Sequence, residues 1–492
     1  MLDLTVSGRF IMHQSNGYFN DIKVQILAII NKKQVTMIFY HSYNATKKPM
    51  YFGWLSLFLS IFFVLLNNSL AIAQTSKVAQ AKSTVNSLTL TQAIHQTLAK
   101  NPRLKAFKYR QQSLDGQQQM QALTPAYELG FEIENFAGTG QLNGIDGTEF
   151  TVSLSSVIEM ADKREARIGV VSERSILLKA QRKIETLTLL GEVTRRYIIV
   201  LSAQEQLLLA QASTALAEET LQEVEKRSTA GITPVAEVKR AMAAVGMAKL
   251  TYSAQQQQLA IAKRALSMLW KENTPSFNLV KGSLYQFSND IDFERLFARV
   301  VQNPAIELFV SEQRLIAAQL LLARSQSSGD IKWSVGLRQN QKIEETSLVA
   351  GFSMPLFSGE RNNGAIRSAL AAKDESDARK EASLLKLHSQ LYQAYSNRKQ
   401  AIYKVNNLKE HIIPLLKQAL NDAQSAYQSG RYSYLDYLTA RQELLSAKRA
   451  LIDSATLALR YGVDIEQLTA EPLTSLTYLK NSSKQLAQGI SQ

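Results

Sequence analysis

Cysteine is absent from the 492 residues. Without it no disulfide staples the fold, no thiolate serves as a nucleophile and soft-metal chelation is excluded, so packing alone must hold the chain. A lipobox cysteine is missing too, and no lipid anchor is expected at the mature N-terminus. Histidine is scarce, with 5 in the sequence. Past Ala73 only His95, His388 and His411 remain, far apart and each within a helical stretch, so they form no ligand set. Met120, Met242, Met247, Met268 and Met354 lack metal-binding spacing and read as packing. Gly138, Gly140, Gly144 and Gly147 cluster, but no lysine or helix follows at the spacing of a phosphate loop, so they read as a flexible hairpin loop. No metal site, cofactor site or catalytic constellation is expected, and the chain is not read as an enzyme. The formal net charge is +14, yet the basic residues are spread through helices and nowhere interleave with aromatics, so no nucleic-acid partner is expected.

Long apolar runs are also missing from the body of the chain. One shorter run lies near the start. Lys47 and Lys48 precede an apolar stretch from Tyr51 to Leu66, and Asn67, Asn68 and Ala71-Ile72-Ala73 follow. A basic flank, an apolar centre and an A-x-A end describe a secretory signal peptide cleaved after Ala73. Residues 1–36 show no usable helix or strand pattern. Met37 is the expected natural start, with 1–73 an upstream extension plus signal peptide.

What is present is strict alternation in four places. Tyr127, Leu129, Phe131 and Ile133 alternate with Glu128, Gly130, Glu132 and Glu134. Phe150, Val152 and Leu154 alternate with Glu149, Thr151, Ser153 and Ser155. Ile331, Trp333, Val335 and Leu337 alternate with Lys332, Ser334, Gly336 and Arg338. Leu348, Ala350, Phe352 and Met354 alternate with Ser347, Gly351 and Ser353. Period two at about ten residues per strand describes a transmembrane β-barrel wall, apolar outward and polar inward. Strands are expected near 126–135, 149–158, 330–338 and 346–356. Four strands cannot close a barrel and open edges cannot sit in lipid, so either several chains pool their strands or the sheets are soluble.

The chain is duplicated. Asn101-Pro102 and Asn303-Pro304 each open a helical run, with Asn as N-cap and Pro at the first position. Phe107 and Phe309, and Gln111 and Gln313, fall at equal offsets. Each run leads to a hairpin and then to a very long helix. The repeats span 88–270 and 290–468, with a linker at 271–289 and a flexible tail at 469–492. From Asp162 to Ala230 there is no proline, which allows a rod of about 100 Å. Leu177, Ile184, Leu187, Ile198, Leu201 and Leu208, and later Leu384, Leu391, Tyr395, Ile402 and Val405, keep coiled-coil spacings. Such rods favour pooling of strands between chains. Pro414 interrupts the second rod and marks a kink or an offset between coaxial helices.

These features resemble the TolC-like outer-membrane factors, and among them the CzcC-type heavy-metal efflux branch. The resemblance runs from Ser87 to Leu468. Glu159-Met160-Ala161-Asp162-Lys163-Arg164 stands where the family tends to have E-L-G-G-K-R. Gly351-Phe352-Ser353-Met354-Pro355-Leu356-Phe357 resembles its G-x-S-x-P-L-F run, followed here by Arg361-Asn362-Asn363-Gly364. The resemblance implies a mostly helical fold with a transmembrane β part. Three chains would form a trimeric twelve-strand β-barrel, four strands per chain, continued by a long periplasmic α-helical barrel.

It further implies an exit duct in the cell outer membrane for divalent heavy-metal cations. The implied partners are two further copies, the lipid bilayer, a periplasmic adaptor of the membrane-fusion type and an inner-membrane RND-type transporter. A similar duct for drugs or type I protein secretion, and a periplasmic coiled-coil scaffold without a pore, are the alternatives. By the same resemblance Gly231 and Gly430 form the periplasmic tip turns, with Glu237, Asp436 and Arg431 as gate candidates. Both acids also suit simple helix-start roles, Asp436 through an S-x-x-D pattern with Ser433. Glu128, Glu132, Glu134, Glu149, Lys332 and Arg338 are expected to face the lumen, acidic on the first hairpin and basic on the second.

Overall fold

The computed structural model describes residues 6–9, 23–31, 34–40 and 87–471, apart from 138–139, 141–144, 146, 289–291 and 357. The expected signal peptide from residue 41 onward, the tail past 471, Gly138, Gly144 and Phe357 lie outside these residues. Two units result, Met1–Lys82 and Ser83–Gln492. In the first, strands β1 (Val6–Arg9), β2 (Lys23–Asn31) and β3 (Gln34–Tyr40) form an antiparallel sheet in that order. No strand pattern was expected over 1–36. The apolar residues of Ile26 to Ile30 run continuously instead of alternating, so a period-two reading passes over them.

The second unit begins with β4 (Ser87–Leu88), α1 (Leu90–Lys100), α2 (Pro102–Gln121), β5 (Glu128–Glu134) and β6 (Glu149–Ile158). It continues through α3 (Lys163–Thr229) and α4 (Val235–Ser267) to β7 (Leu279–Val280). The pattern then repeats with α5 (Phe293–Val300), α6 (Pro304–Ser325), β8 (Ile331–Asn340), β9 (Glu345–Ser353), α7 (Asn363–Asn407), α8 (Ile413–Gln428) and α9 (Tyr434–Thr469). A π-helical turn, Leu408–Ile412, joins α7 to α8. Among the described residues no helix is long and apolar enough to cross a membrane. With 67 residues α3 spans about 100 Å.

The duplicated Asn-Pro pairs act as clamps. Asn101 accepts from the Arg103 amide at 2.9 Å and donates to the Leu269 carbonyl at 2.8 Å. Asn303 accepts from Ala305 and donates to the carbonyls of Gln467 and Leu468. Each asparagine thus caps a helix and ties the start of its repeat to the far end of its own helical hairpin. Both are buried, where amides without partners would cost about 1–3 kcal/mol each. A second repeated contact follows, Gln111 to Ser175 and Gln313 to Asp377.

The segment after α4 is packed rather than a free spacer. Trp270, Phe277, Val280 and Leu284 are buried against Leu189, Val193 and Tyr197 of α3. The short parallel pair β4–β7 is strapped down from α3. The Tyr197 hydroxyl reaches the Leu88 and Lys281 carbonyls, and the Gln204 amide bonds both backbone groups of Val280. Along α3 the deeply buried stripe is Ala203, Ala210, Ala217 and Val224, spaced by sevens. Leu208, expected on the apolar stripe, is 60% exposed in the single chain. Small residues let neighbouring helices approach, and the larger leucine falls on the other face.

The four-stranded sheet runs β5-β6-β8-β9, antiparallel throughout. The two repeats meet in its middle, at β6–β8. Among the described residues its outer strands, β5 and β9, have no further partner.

Candidate functional site

The register sorts the sheet into two faces. Leu129, Phe131 and Ile133 lie in rows with Phe150, Val152 and Leu154, then Val335 and Leu337, then Leu348, Ala350 and Phe352. Most of these side chains are exposed, Phe131 at 74% and Phe352 at 86%. A continuous apolar face of this extent does not stay in water; it needs lipid or a partner. Near the helical end of the sheet Tyr127 meets Trp333 edge to face, with centroids 6.2 Å apart. Aromatic pairs at that level are the girdle of a barrel wall.

The opposite face is polar, and it carries all six strand residues singled out above. Its rows are Glu128-Ser155-Ser334-Gly351, Gly130-Ser153-Gly336-Val349, Glu132-Thr151-Arg338-Ser347 and Glu134-Glu149-Asn340-Glu345. Lys332 lies beyond the first row, between Val157 and Ser353. The expected separation into an acidic and a basic hairpin gives way to local pairing. Arg338 bridges Glu134 at 2.8 Å and Glu149 at 3.1 Å, and also donates to Thr151. The first two rows consist mostly of glycine and serine, with Glu128 and Val349 as their larger side chains. Gly336 permits close strand packing, since a Cβ there would meet the Val152 carbonyl oxygen at 2.6 Å.

Where the sheet passes into α3, the motif from Glu159 to Arg164 makes a tight turn. Ala161 and Asp162 both hold positive φ, 59° and 52°, a region L-residues enter at a cost of about 1–2 kcal/mol each. Three contacts fix the turn. Lys163 bridges Asp330 at 2.6 Å, the Met160 amide donates to the same carboxylate, and Arg164 donates to the Ala122 carbonyl. Glu159 pairs with Arg167. Asp330 comes from the second repeat, so the motif also locks the repeats together.

At the other end of the rods lie the turns at Gly231 and Gly430. Their φ values of 74° and 75° explain the glycines, which close α3 and α8 in the left-handed conformation. The two acids named as gate candidates differ from one another. Asp436 is held in a capping box by the amide and hydroxyl of Ser433, and these bonds draw its pKa below the usual carboxylate range. Glu237 caps nothing. Pro234 precedes α4 without a side-chain cap, and the Glu237 carboxylate instead accepts from the Tyr427 hydroxyl at 3.5 Å. Arg431 donates to Ser429 inside its own turn and forms no ion pair with either acid.

Sequence reasoning passed over Tyr427 and Arg227, which join the two hairpins. The Arg227 guanidinium lies 4.7 Å from the centre of the Tyr427 ring and donates to the Gln428 carbonyl at 2.6 Å. Tyr427 stacks on Tyr437 and touches Tyr434. Burial, followed by the Glu237 charge, pushes the Tyr427 hydroxyl up to about 12. One tyrosine thus meets an acid of α4 and a cation of α3. Among the described residues no group of three or more His, Cys, Asp or Glu side chains could hold a metal ion.

Comparison with known proteins agrees with this geometry. The chain matches the outer membrane efflux protein family over residues 93–270 and 307–471. It is 27% identical over 303 residues to the cobalt-zinc-cadmium resistance protein CzcC of Cupriavidus metallidurans, covering 61% of this chain and 71% of that protein. Its fold is similar to the CusC channel, with a TM-score of 0.64 at 17% identity over 77% of this chain and 91% of that one. It is also similar to the CmeC outer membrane channel of Campylobacter jejuni, with a TM-score of 0.63 at 16% identity over 80% and 89%. The chain belongs to the outer membrane efflux protein family: a passive TolC-like channel of the outer membrane that reaches into the periplasm, and not an enzyme.

Proposed function

We propose that three copies of this chain form the exit duct of a tripartite efflux system for divalent heavy-metal cations, joined to a periplasmic adaptor and an RND-type inner-membrane pump. The observation that carries the duct is the four-stranded sheet, with one apolar exposed face, one polar face and two unpaired edges. Pairing β5 of one copy with β9 of the next satisfies both edges, as lipid demands. The cargo reading rests on the likeness to CzcC. No metal ligands are required of the chain, since selectivity would reside in the pump.

Glycine and serine fill most of two of the polar rows, which supports a constriction at the helical tip and not within the sheet. There Glu237 and Tyr427, with Arg227 behind them, act as the latch of a gate, and Asp436 as a helix cap. The test of cargo is a deletion strain. It should lose tolerance to cobalt, zinc, cadmium or nickel and keep its tolerance to large hydrophobic drugs. The reverse pattern would assign the duct to drug or polypeptide export.

A further inference from the structure

The two helical hairpins have one origin but differ by three residues. Asn101 clamps a carbonyl 168 residues ahead, whereas Asn303 clamps one 165 ahead. The lower parts agree, because Gln111 to Ser175 and Gln313 to Asp377 both span 64. The descending helices agree as well, since Leu269 lies as far past Gly231 as Leu468 lies past Gly430. The deficit therefore falls between Asp377 and Gly430, in the rising arm of the second hairpin. Three residues carry about 4.5 Å of rise and about 300° of rotation, so an unbroken α-helix would arrive roughly 60° over-rotated.

That arm contains the π turn Leu408–Ile412 and Pro414. In a regular helix the proline ring would meet the Glu410 carbonyl. Instead the Ile413 amide reaches back five residues, to Leu408. The wider turn rotates less per residue and takes back part of the phase error. Leu408 and Ile413 are buried anchors, while 409–412 and Pro414 are exposed. The matching arm of the first hairpin, α3, has no such break. Past the turn, an open groove of about 830 Å³ is lined by Leu416 of α8 and by Leu435, Leu438, Gln442 and Ala450 of α9.

We infer that Leu408–Pro414 is a hinge, and that α8 swings on it as a rigid rod toward this groove when the periplasmic mouth opens. This rests on the tip being the gate. α8 carries Tyr427 and Gln428, so both contacts to the first hairpin break by moving one helix, while α3 and α4 stay in place. The interruption is thus the compliant element of an otherwise stiff wall.

The test has two arms on the full-length protein in detergent. In amide hydrogen exchange, 409–413 should exchange at least about tenfold faster than 206–215 of α3, since local opening is easiest where few contacts hold the backbone. Equal protection of the two stretches overturns the hinge. For the second arm, nitroxide labels are placed at Glu219→Cys with Asn421→Cys near the tip, and at Gln211→Cys with Lys399→Cys below the turn. Labelled chains are diluted into unlabelled oligomers. With the latch broken by Tyr427→Phe and Glu237→Gln, the tip pair should shift by on the order of 5 Å and the lower pair should not. A channel whose conductance rises while both pairs shift alike, or while neither shifts, overturns the hinge. If conductance does not rise, the latch reading fails by itself, and the exchange comparison still decides the hinge.

Discussion

Glu237 and Asp436 follow the two tip glycines at similar distances, and the folded chain employs them differently. Asn can replace Asp436 as a capping partner, so Asp436→Asn should keep the helix start and leave single-channel conductance unchanged. Tyr427→Phe removes the hydrogen bond between hairpins, a net of about 1 kcal/mol, and should raise closed-state conductance severalfold, whereas Glu237→Gln keeps an acceptor oxygen and weakens the bond by taking away its charge. Equal conductance in all three variants would take the latch away from Tyr427. The pH dependence has a definite sign. Free tyrosine loses its proton near 10.0, whereas Tyr427 holds its own to about 12. Above pH 10 the unfolded chain therefore sheds a proton that the folded chain keeps, and tip stability falls between pH 10 and pH 12. Conductance should stay flat up to pH 10 as far as this residue is concerned, and rise only beyond it. Glu237 was visible in the sequence because it follows a glycine turn. Tyr427 and Arg227 were not, because their counterparts in the other repeat are Ser228 and Ala426. No repetition marks them, and their contact joins residues 200 apart. Ala161 was visible as a departure from the family's glycine pair, but its left-handed backbone was not. Ala161→Gly should relieve about 1–2 kcal/mol of strain against about 0.5–1 kcal/mol of added chain entropy, a small gain in the urea midpoint. A lower midpoint would mean that the Ala161 methyl group packs usefully in the turn.

The strands were the most legible elements, because a wall between lipid and water forces every second residue to one side. Legibility fades at the strand ends. Ser156 shares the apolar face with Trp333, and Val157 lies among the polar residues beside Lys332. The helices were legible in extent, through the absence of proline, and less so in face. The small residues of the α3 stripe carry little hydrophobic signal, yet they set how closely the rods pack. Pro414 announced a break without revealing its form, because a π turn has no residue signature of its own. The wall makes a direct prediction. Val335→Lys puts a charge on the lipid face and should cost on the order of 2–4 kcal/mol per chain near the bilayer midplane. Ser334→Lys, one residue away on the polar face, should be tolerated. Folding yields in lipid vesicles measure the difference, and equal yields would show that the apolar face does not meet lipid.

At the scale of the whole molecule, the two sheet edges left unpaired among the described residues call for more than one chain. A single chain cannot join β5 to β9 by curling, because two strands lie between them and neighbouring strands stand about 4.8 Å apart. That separation, about 14 Å in a flat sheet, is well beyond the 3.5–4.5 Å between Cβ atoms that a disulfide tolerates. The chain has no cysteine of its own, so introduced pairs report without background. Leu348→Cys on β9 can be combined in turn with Leu129→Cys, Phe131→Cys or Ile133→Cys on β5. Any disulfide between them must join two copies. One of the three registers should oxidise to a covalent species of three chains on a denaturing gel, and the neighbouring registers should oxidise poorly, because a two-residue shift along the same face carries the Cβ about 7 Å further along the strand. A ladder that ends at two chains, or one that continues without closing, would rule out the twelve-strand barrel. Closure at three would also give the polar rows their meaning. The glycine and serine rows would become a ring of mostly small side chains, and Glu134, Glu149 and Glu345 with Arg338 would become the charged rim at the end away from the helices.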